Sequence, residues 1–155
     1  AAAAVLVSKN KSNKIGPFEL GADGSGADAL ELPIGSNEII MHGAKVLTFA
    51  MSIVPQNVNL LLKKIKIKKN KINKFIFHQA SKYILDNINR VLSLKKDQIF
   101  ENYNKVGNTI SASIPIALKD AYNRKKLKKN HTIVIAGYGV GLSWGSSLIK
   151  WDKLI

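Results

Sequence analysis

The sequence predicts a layered α/β domain, and three observations predict it. Short apolar runs of strand character alternate with amphipathic stretches of about 14 to 20 residues. Segments rich in glycine, proline or charge separate them. At 155 residues, 46% of them hydrophobic, the chain is long enough for one self-contained core, because a chain of this size buries roughly 68–70% of its unfolded surface. Residues 1–155 are therefore expected to form one domain, and no internal repeat is evident.

In chain order, Ala1 to Ser8 reads as a buried strand, followed by a polar turn from Lys9 to Lys14. The chain opens on this Ala-rich apolar run without Met, cap or polar lead-in, so residue 1 reads as an excision point inside a strand. The run lacks a basic leader and is far shorter than the roughly 20 residues of a membrane helix, so neither a targeting segment nor a span is expected. A second strand, about Gly16 to Leu20, leads into a loop from Gly21 to Pro33 whose glycines Gly21, Gly24 and Gly26 mark turns. From Gly43 to Lys64 apolar residues recur at helical spacing, with Pro55 as a kink or a junction between two helices. Lys63 to Lys74 interleaves lysine with Ile65, Ile67 and Ile72, the pattern of an exposed helix end and linker whose lysine stems lie over apolar surface.

Lys74 to Phe77 is a short strand ending at His78. Ser81 to Leu94 is an amphipathic helix through Ile84, Leu85, Ile88 and Leu92, and Lys95 to Lys105 is a polar connection running to Gly107. Thr109 to Arg124 is a third helix with Ile110, Ile114, Ala117, Leu118 and Ala121 on one face; Pro115 falls in its first two turns, where a missing N–H costs least. Strands at Thr132 to Ala136 and about Ser143 to Trp151 close the chain, joined through Gly137-Tyr138-Gly139-Val140-Gly141.

Composition excludes several classes. The chain has no cysteine, which rules out a disulfide scaffold and thiolate metal sites and fits a reducing compartment, so a cytoplasmic location is expected. A mean hydropathy near zero is that of a globular chain. The net charge of +14 raises the alternative of a basic module that grips nucleic acid or an anionic surface through Lys63 to Lys74. Against it, only Arg90 and Arg124 among 24 basic residues carry the guanidinium fork that favours bidentate phosphate and base contacts, so neither a nucleic-acid partner nor a membrane is expected.

Two short motifs carry candidate chemistry. In Phe77-His78-Gln79-Ala80-Ser81, His78 closes a strand at the carboxyl edge where α/β sheets bind ligands. In Gly107-Asn108-Thr109, Asn108 sits where the chain turns sharply into a helix. Each has a bland explanation, a hydrogen-bonded core histidine and a helix cap. Taken together, a neutral imidazole and a carboxamide supply two N–H donors to one carbonyl oxygen, which stabilises charge developing on a thioester. Which imidazole nitrogen carries the proton is not readable from sequence.

These motifs bring a resemblance. Phe77-His78-Gln79-Ala80, then Val106-Gly107-Asn108-Thr109 through Ser113-Ile114-Pro115-Ile116-Ala117-Leu118, then Gly137-Tyr138-Gly139-Val140-Gly141-Leu142-Ser143-Trp144-Gly145 resemble, in order and spacing, the C-terminal half of β-ketoacyl-acyl-carrier-protein synthase III. The resemblance runs from residue 1 to about Trp151. It implies the C-terminal half of a thiolase-like fold, a mixed β-sheet covered by helices, with the nucleophilic cysteine supplied by an N-terminal half that this chain does not contain. It also implies a fatty-acid-synthesis enzyme in which an acyl group passes from coenzyme A to that cysteine, and the carbanion from malonyl-acyl-carrier protein attacks the acyl-enzyme.

By the same resemblance His78 and Asn108 hold the malonyl thioester oxygen, and the backbone N–H of Val140 helps hold the acyl thioester oxygen. Gly139, Ser81, Lys82 and Arg90 fall at positions implied to meet substrate or carrier. Implied partners are an acidic acyl carrier protein, acyl-CoA, the missing half of the same enzyme, and a second copy in a homodimer. No bound cofactor or metal is implied, coenzyme A thioester being a substrate. Trp144 is expected in the core, and His42 and His131 on the surface. The sequence departs from the family at Tyr83 and Thr48, where basic residues for carrier docking are usual, and at Ser81, where Asn is common. Within the enzyme class the alternative is a relative that condenses or transfers acyl groups in surface-glycan or secondary-metabolite synthesis.

Overall fold

A computed structural model describes residues 1–7 and 15–152. Its centre is a four-stranded sheet. Strand β1 (Ile15–Ala22) pairs antiparallel with β6 (Ser143–Lys150), β6 antiparallel with β5 (Thr132–Gly139), and β5 parallel with β4 (Lys74–Phe77). The sheet is therefore mixed. A two-residue ribbon, β2 (Leu30–Glu31) with β3 (Ile40–Met41), stands apart from it.

Side-chain alternation along the strands builds two apolar layers. On one face Phe75 and Phe77 of β4, Val134 and Ala136 of β5 and Leu148 of β6 pack under helices α1 (Gly43–Lys64) and α2 (Lys82–Val91), which contribute Val54, Val58, Leu61, Leu62, Leu85 and Ile88. On the other face Ile76 and Ile133 pack against Ala117 and Ala121 of α4 (Ser113–Asn123), with Phe100 and Leu127. The middle of β4, Phe75-Ile76-Phe77, is covered on both faces, which is why it reads as an unbroken apolar run.

Several expectations change. Ala1–Val7 has no regular structure and is exposed, not a buried strand: the described residues offer it no ladder partner, since β1 pairs only with β6. Ser8 and the polar turn at Lys9 to Lys14 lie outside the described residues. α1 is one 22-residue helix rather than two, because Pro55 is itself buried and the apolar face from Ala50 to Leu62 runs past it. The connection after α2 is more than polar linker: Gln98 and Phe100 are buried, and a single turn α3 (Tyr103–Val106) follows. α4 begins four residues later than expected, after a 3-10 turn at Ile110–Ala112, and Ile110 is exposed instead of lying on its apolar face. β5 runs on to Gly139, which shortens the connection to β6 to Val140-Gly141-Leu142.

Candidate functional site

β4 and β5 run parallel, so their carboxyl ends open on the same edge, and His78 sits there. Its N–H donates to Ala136 O at 2.9 Å, which extends the β4–β5 ladder by one residue and fixes the backbone. The ring is half-buried, with Tyr138 edge-on at 5.2 Å between centroids. Burial holds its pKa below the ordinary histidine value, so the imidazole is neutral at neutral pH.

The proton can then be placed. His78 Nδ1 lies 2.7 Å from Ser113 Oγ, the first residue of α4. Ser113 Oγ accepts from the Gln79 N–H at 3.4 Å, and among the described residues its own hydrogen has only Nδ1 to go to. When Ser113 donates to Nδ1, the ring proton is on Nε2, which then serves as a directed donor.

Asn108 stands on the segment leading to Ser113, five residues upstream, and is exposed. Gly107 before it has φ 66° and ψ −164°, a region open essentially to glycine, and Ile110 after it has φ 52°, costly for a β-branched side chain. Asn108 Oδ1 accepts from the Ile110 N–H at 2.9 Å, which orients the carboxamide and leaves Nδ2 unbonded among the described residues. The capping role and a free pair of donors coexist in one side chain.

Gln79 is fully buried and joins the two segments. Its Nε2 donates to Phe77 O at 2.8 Å, and its Oε1 accepts from the Asn102 N–H at 2.9 Å at the start of the turn that precedes Asn108. Thr109 Oγ1 and both side-chain polar atoms of Asn102 are buried beside this junction without a partner among the described residues. Sequence reasoning assigned no role to Gln79, Ser113 or Tyr138; a glutamine flanked by apolar strand and helix, and a serine just before Ile114-Pro115, were the available signals.

Val140 is 60% exposed in the β5–β6 turn, two residues beyond Tyr138, and its N–H has no partner among the described residues. Its carbonyl accepts from Ser143 Oγ at 2.7 Å. Gly141 has φ 140°, and a Cβ there would meet Ser143 N at 2.9 Å, so glycine is required at that turn. Gly139 faces open space. The aromatic row continues from Tyr138 to Phe49 at 6.1 Å and Trp144 at 5.6 Å from Phe49, above a groove of about 600 Å³ lined by Thr48, Phe49, Ile53 and Leu142.

The α2 residues are spread along a helix rather than gathered. Ser81 caps it, its Oγ accepting from the Ile84 N–H; Lys82 pairs with Asp86 at 2.6 Å, which raises its pKa; Arg90 donates to Asn87 Oδ1 at 2.7 Å, about 12 Å from Lys82 along the axis. Tyr83 is 61% exposed between them. Thr48 turns its hydroxyl back to Ala44 O. Trp144 is half-buried and His42 exposed, while His131 is only partly exposed. The described residues hold no cluster of metal-ligating side chains, and none of their helices is long and apolar enough to cross a membrane.

The mixed sheet with helices on both faces has the architecture of one half of a thiolase-like fold. Residues 62–151 match the family described as 3-oxoacyl-[acyl-carrier-protein] synthase III C terminal, and the chain belongs to that family. It is 34% identical over 167 residues to β-ketoacyl-[acyl-carrier-protein] synthase III of Prochlorococcus marinus (strain MIT 9515), and 34% identical over 153 residues to that of Staphylococcus aureus (strain JH1). Those matches cover 97% and 99% of this chain but 50% and 49% of the relatives, so the chain spans about half their length. Among solved structures, 3-oxoacyl-(acyl carrier protein) synthase III from Pseudomonas aeruginosa PAO1 superimposes with a TM-score of 0.89 at 29% identity, covering 96% of this chain and 48% of that one.

Proposed function

We propose that this chain is the C-terminal, oxyanion-binding half of an acyltransferase that condenses an acyl-enzyme with malonyl-acyl-carrier protein in fatty-acid biosynthesis. The observation that supports the reading is the 2.7 Å contact between Ser113 Oγ and His78 Nδ1, which suits a ring proton on Nε2, together with the uncommitted Nδ2 of Asn108 among the described residues. Two neutral donors suit a thioester oxygen that becomes an enolate oxygen as carbon dioxide leaves. Each preorganised donor is worth about 2.7–4 kcal/mol to such a charge. The carbanion then attacks the acyl carbonyl and expels the cysteine thiolate, which belongs to the other half of the enzyme. The Val140 N–H takes part in holding that second oxygen.

The substrates are acyl-CoA and malonyl-acyl-carrier protein, with no resident cofactor or metal, in a cytoplasmic homodimer. The acidic carrier docks on the α2 surface through Lys82 and Arg90, with Tyr83 where relatives are basic, and Ser81 and Gly139 line the approach. Residues 1–155 act as one domain and are inactive without the half that bears the cysteine.

The test uses the full-length protein. Asn108→Ala should leave acylation of the cysteine intact and slow malonyl decarboxylation by roughly 10²–10³. His78→Ala should do the same, and the double variant should lose less than the product of the two, because both serve one oxygen. Equal loss in acylation and decarboxylation would overturn the assignment.

A further inference from the structure

At the opposite end of the sheet, the amino ends of β4 and β5 flank a groove of about 410 Å³, within the usual size of small-molecule sites. Lys74, Lys125, Lys126, Lys128 and His131 line it, with Asn73 and a single carboxylate, Asp97. The four residues of β4 separate it from His78 by about 13 Å, so it is no part of the thioester site. We infer that this groove binds a compact polyphosphate, inorganic or the phosphate end of a nucleotide, through these lysines and the Nε2–H of His131.

The first support is the charge arrangement. Among the described residues none of these four lysines forms a salt bridge, whereas Lys45, Lys64, Lys82 and Arg124 each pair with an acid elsewhere. Lys74 is partly buried, and its ammonium donates to a neutral main-chain acceptor, Asp97 O. Burial, opposed by Asp97 and assisted by Lys126, holds its pKa below the ordinary lysine value. Like charges gathered in a concavity repel, and a polyanion is the ligand that relieves them.

The second support is that the groove is built rather than a solvated lysine face. Asn73 locks the strand starts together: its N–H donates to Thr132 O at 2.9 Å, and its Oδ1 accepts from the Thr132 N–H at 2.7 Å. Lys125 has φ 55° at a helix end that ordinarily takes glycine, which holds Lys125 and Lys126 at the rim. The Lys128 N–H donates to His131 Nδ1 at 3.3 Å, and the His131 N–H donates to Lys128 O at 3.1 Å. With Nδ1 accepting, the ring proton is on Nε2, where it adds an oriented neutral donor. Point-charge ammonium groups suit phosphate oxygens, while the one guanidinium nearby, Arg124, is committed to Asp120. A nucleic acid would call for an extended track of cations instead of one compact groove.

Titrating the full-length protein with pyrophosphate alone, by calorimetry at two salt concentrations, tests the inference. Saturable binding at one site per chain, weakened roughly tenfold or more in Lys126→Ala and Lys128→Ala, supports it. Both side chains belong to exposed residues, and thermal unfolding without ligand checks that the variants fold. In NMR the His131 titration, held low by burial, Lys74 and Lys128, should move upward when pyrophosphate binds, and an unmoved titration would place the ligand away from that ring. The charged groups that line the groove with that ring are Lys74, Asp97, Lys125, Lys126 and Lys128. ATP binding at least as tightly as pyrophosphate identifies a nucleotide source; weaker ATP binding identifies an inorganic one. Absence of saturable pyrophosphate binding, binding unchanged in both variants, or capture of duplex DNA only would overturn the site.

Discussion

A serine hydroxyl decides which end of an imidazole can work. Ser113 occupies Nδ1 of His78, and removing that contact frees the ring to rotate or to exchange tautomers. Ser113→Ala in the full-length protein should slow decarboxylation roughly 2- to 10-fold, the worth of one hydrogen bond, while leaving cysteine acylation unchanged; stopped-flow measurement of both half-reactions checks it. Burial also makes His78 a source of pH-dependent stability. Its folded pKa is depressed, so the unfolded chain takes up the proton first as pH falls, and stability present above about pH 6.5 is lost below it. Wild-type protein should lose more stability between pH 7 and pH 5 than His78→Gln does, read as the shift in urea midpoint. His78 and Asn108 were legible because polar side chains at a strand end and a glycine-flanked turn stand out from an apolar background. Ser113 was not, since a serine before a helix reads as a cap until the fold turns its hydroxyl toward the ring.

Helix ends show where local chemistry and fold disagree. α1, α2 and α4 each stop in the same two-bond arrangement, with Ile67 N–H donating to Leu62 O, Leu94 N–H to Asn89 O and Lys126 N–H to Ala121 O. The residue before each of these donors, Lys66, Ser93 or Lys125, has φ between 51° and 55°, where glycine is the low-cost choice. Lys66→Gly and Ser93→Gly should each raise stability by about 1 kcal/mol, seen as a higher urea midpoint with unchanged slope; a lower midpoint would show that these side chains contribute more than the backbone conformation costs. The absence of glycine there is also why sequence placed the end of α2 at Leu94, three residues past Val91. Short apolar runs and helical spacing located the strands and helices of the core, because burial on both faces of β4 and on one face of each helix imposes them. They failed at Ala1 to Val7 and at Ile110, whose apolar character has no matching partner within the described residues.

The whole molecule presents a one-sided surface. β1 is the outer strand of the sheet, paired on one side only, and Ile15, Phe18 and Leu20 on it are 45%, 53% and 73% exposed. Leu32, Ile34, Ile39 and Met41 around the small ribbon are also exposed, as are Val5, Leu6 and Val7. An unpaired edge bearing large apolar side chains is a template for a further strand, and burying three such side chains is worth roughly 1.5–3 kcal/mol each. The net charge of +14 opposes association at low ionic strength, but salt screens it over about 10 Å at 0.1 M while leaving the apolar contact intact. Expressed by itself, this chain should therefore self-associate increasingly as salt is raised, the reverse of charge-driven assembly. Phe18→Lys with Leu20→Lys should keep it monomeric at every ionic strength, since both positions are solvent-facing and the β1–β6 ladder is made by backbone. Sedimentation velocity across a salt series distinguishes the outcomes. A wild-type chain that stays monomeric at high salt, or a double variant that associates as the wild type does, would show that this edge is not what the apolar surface serves.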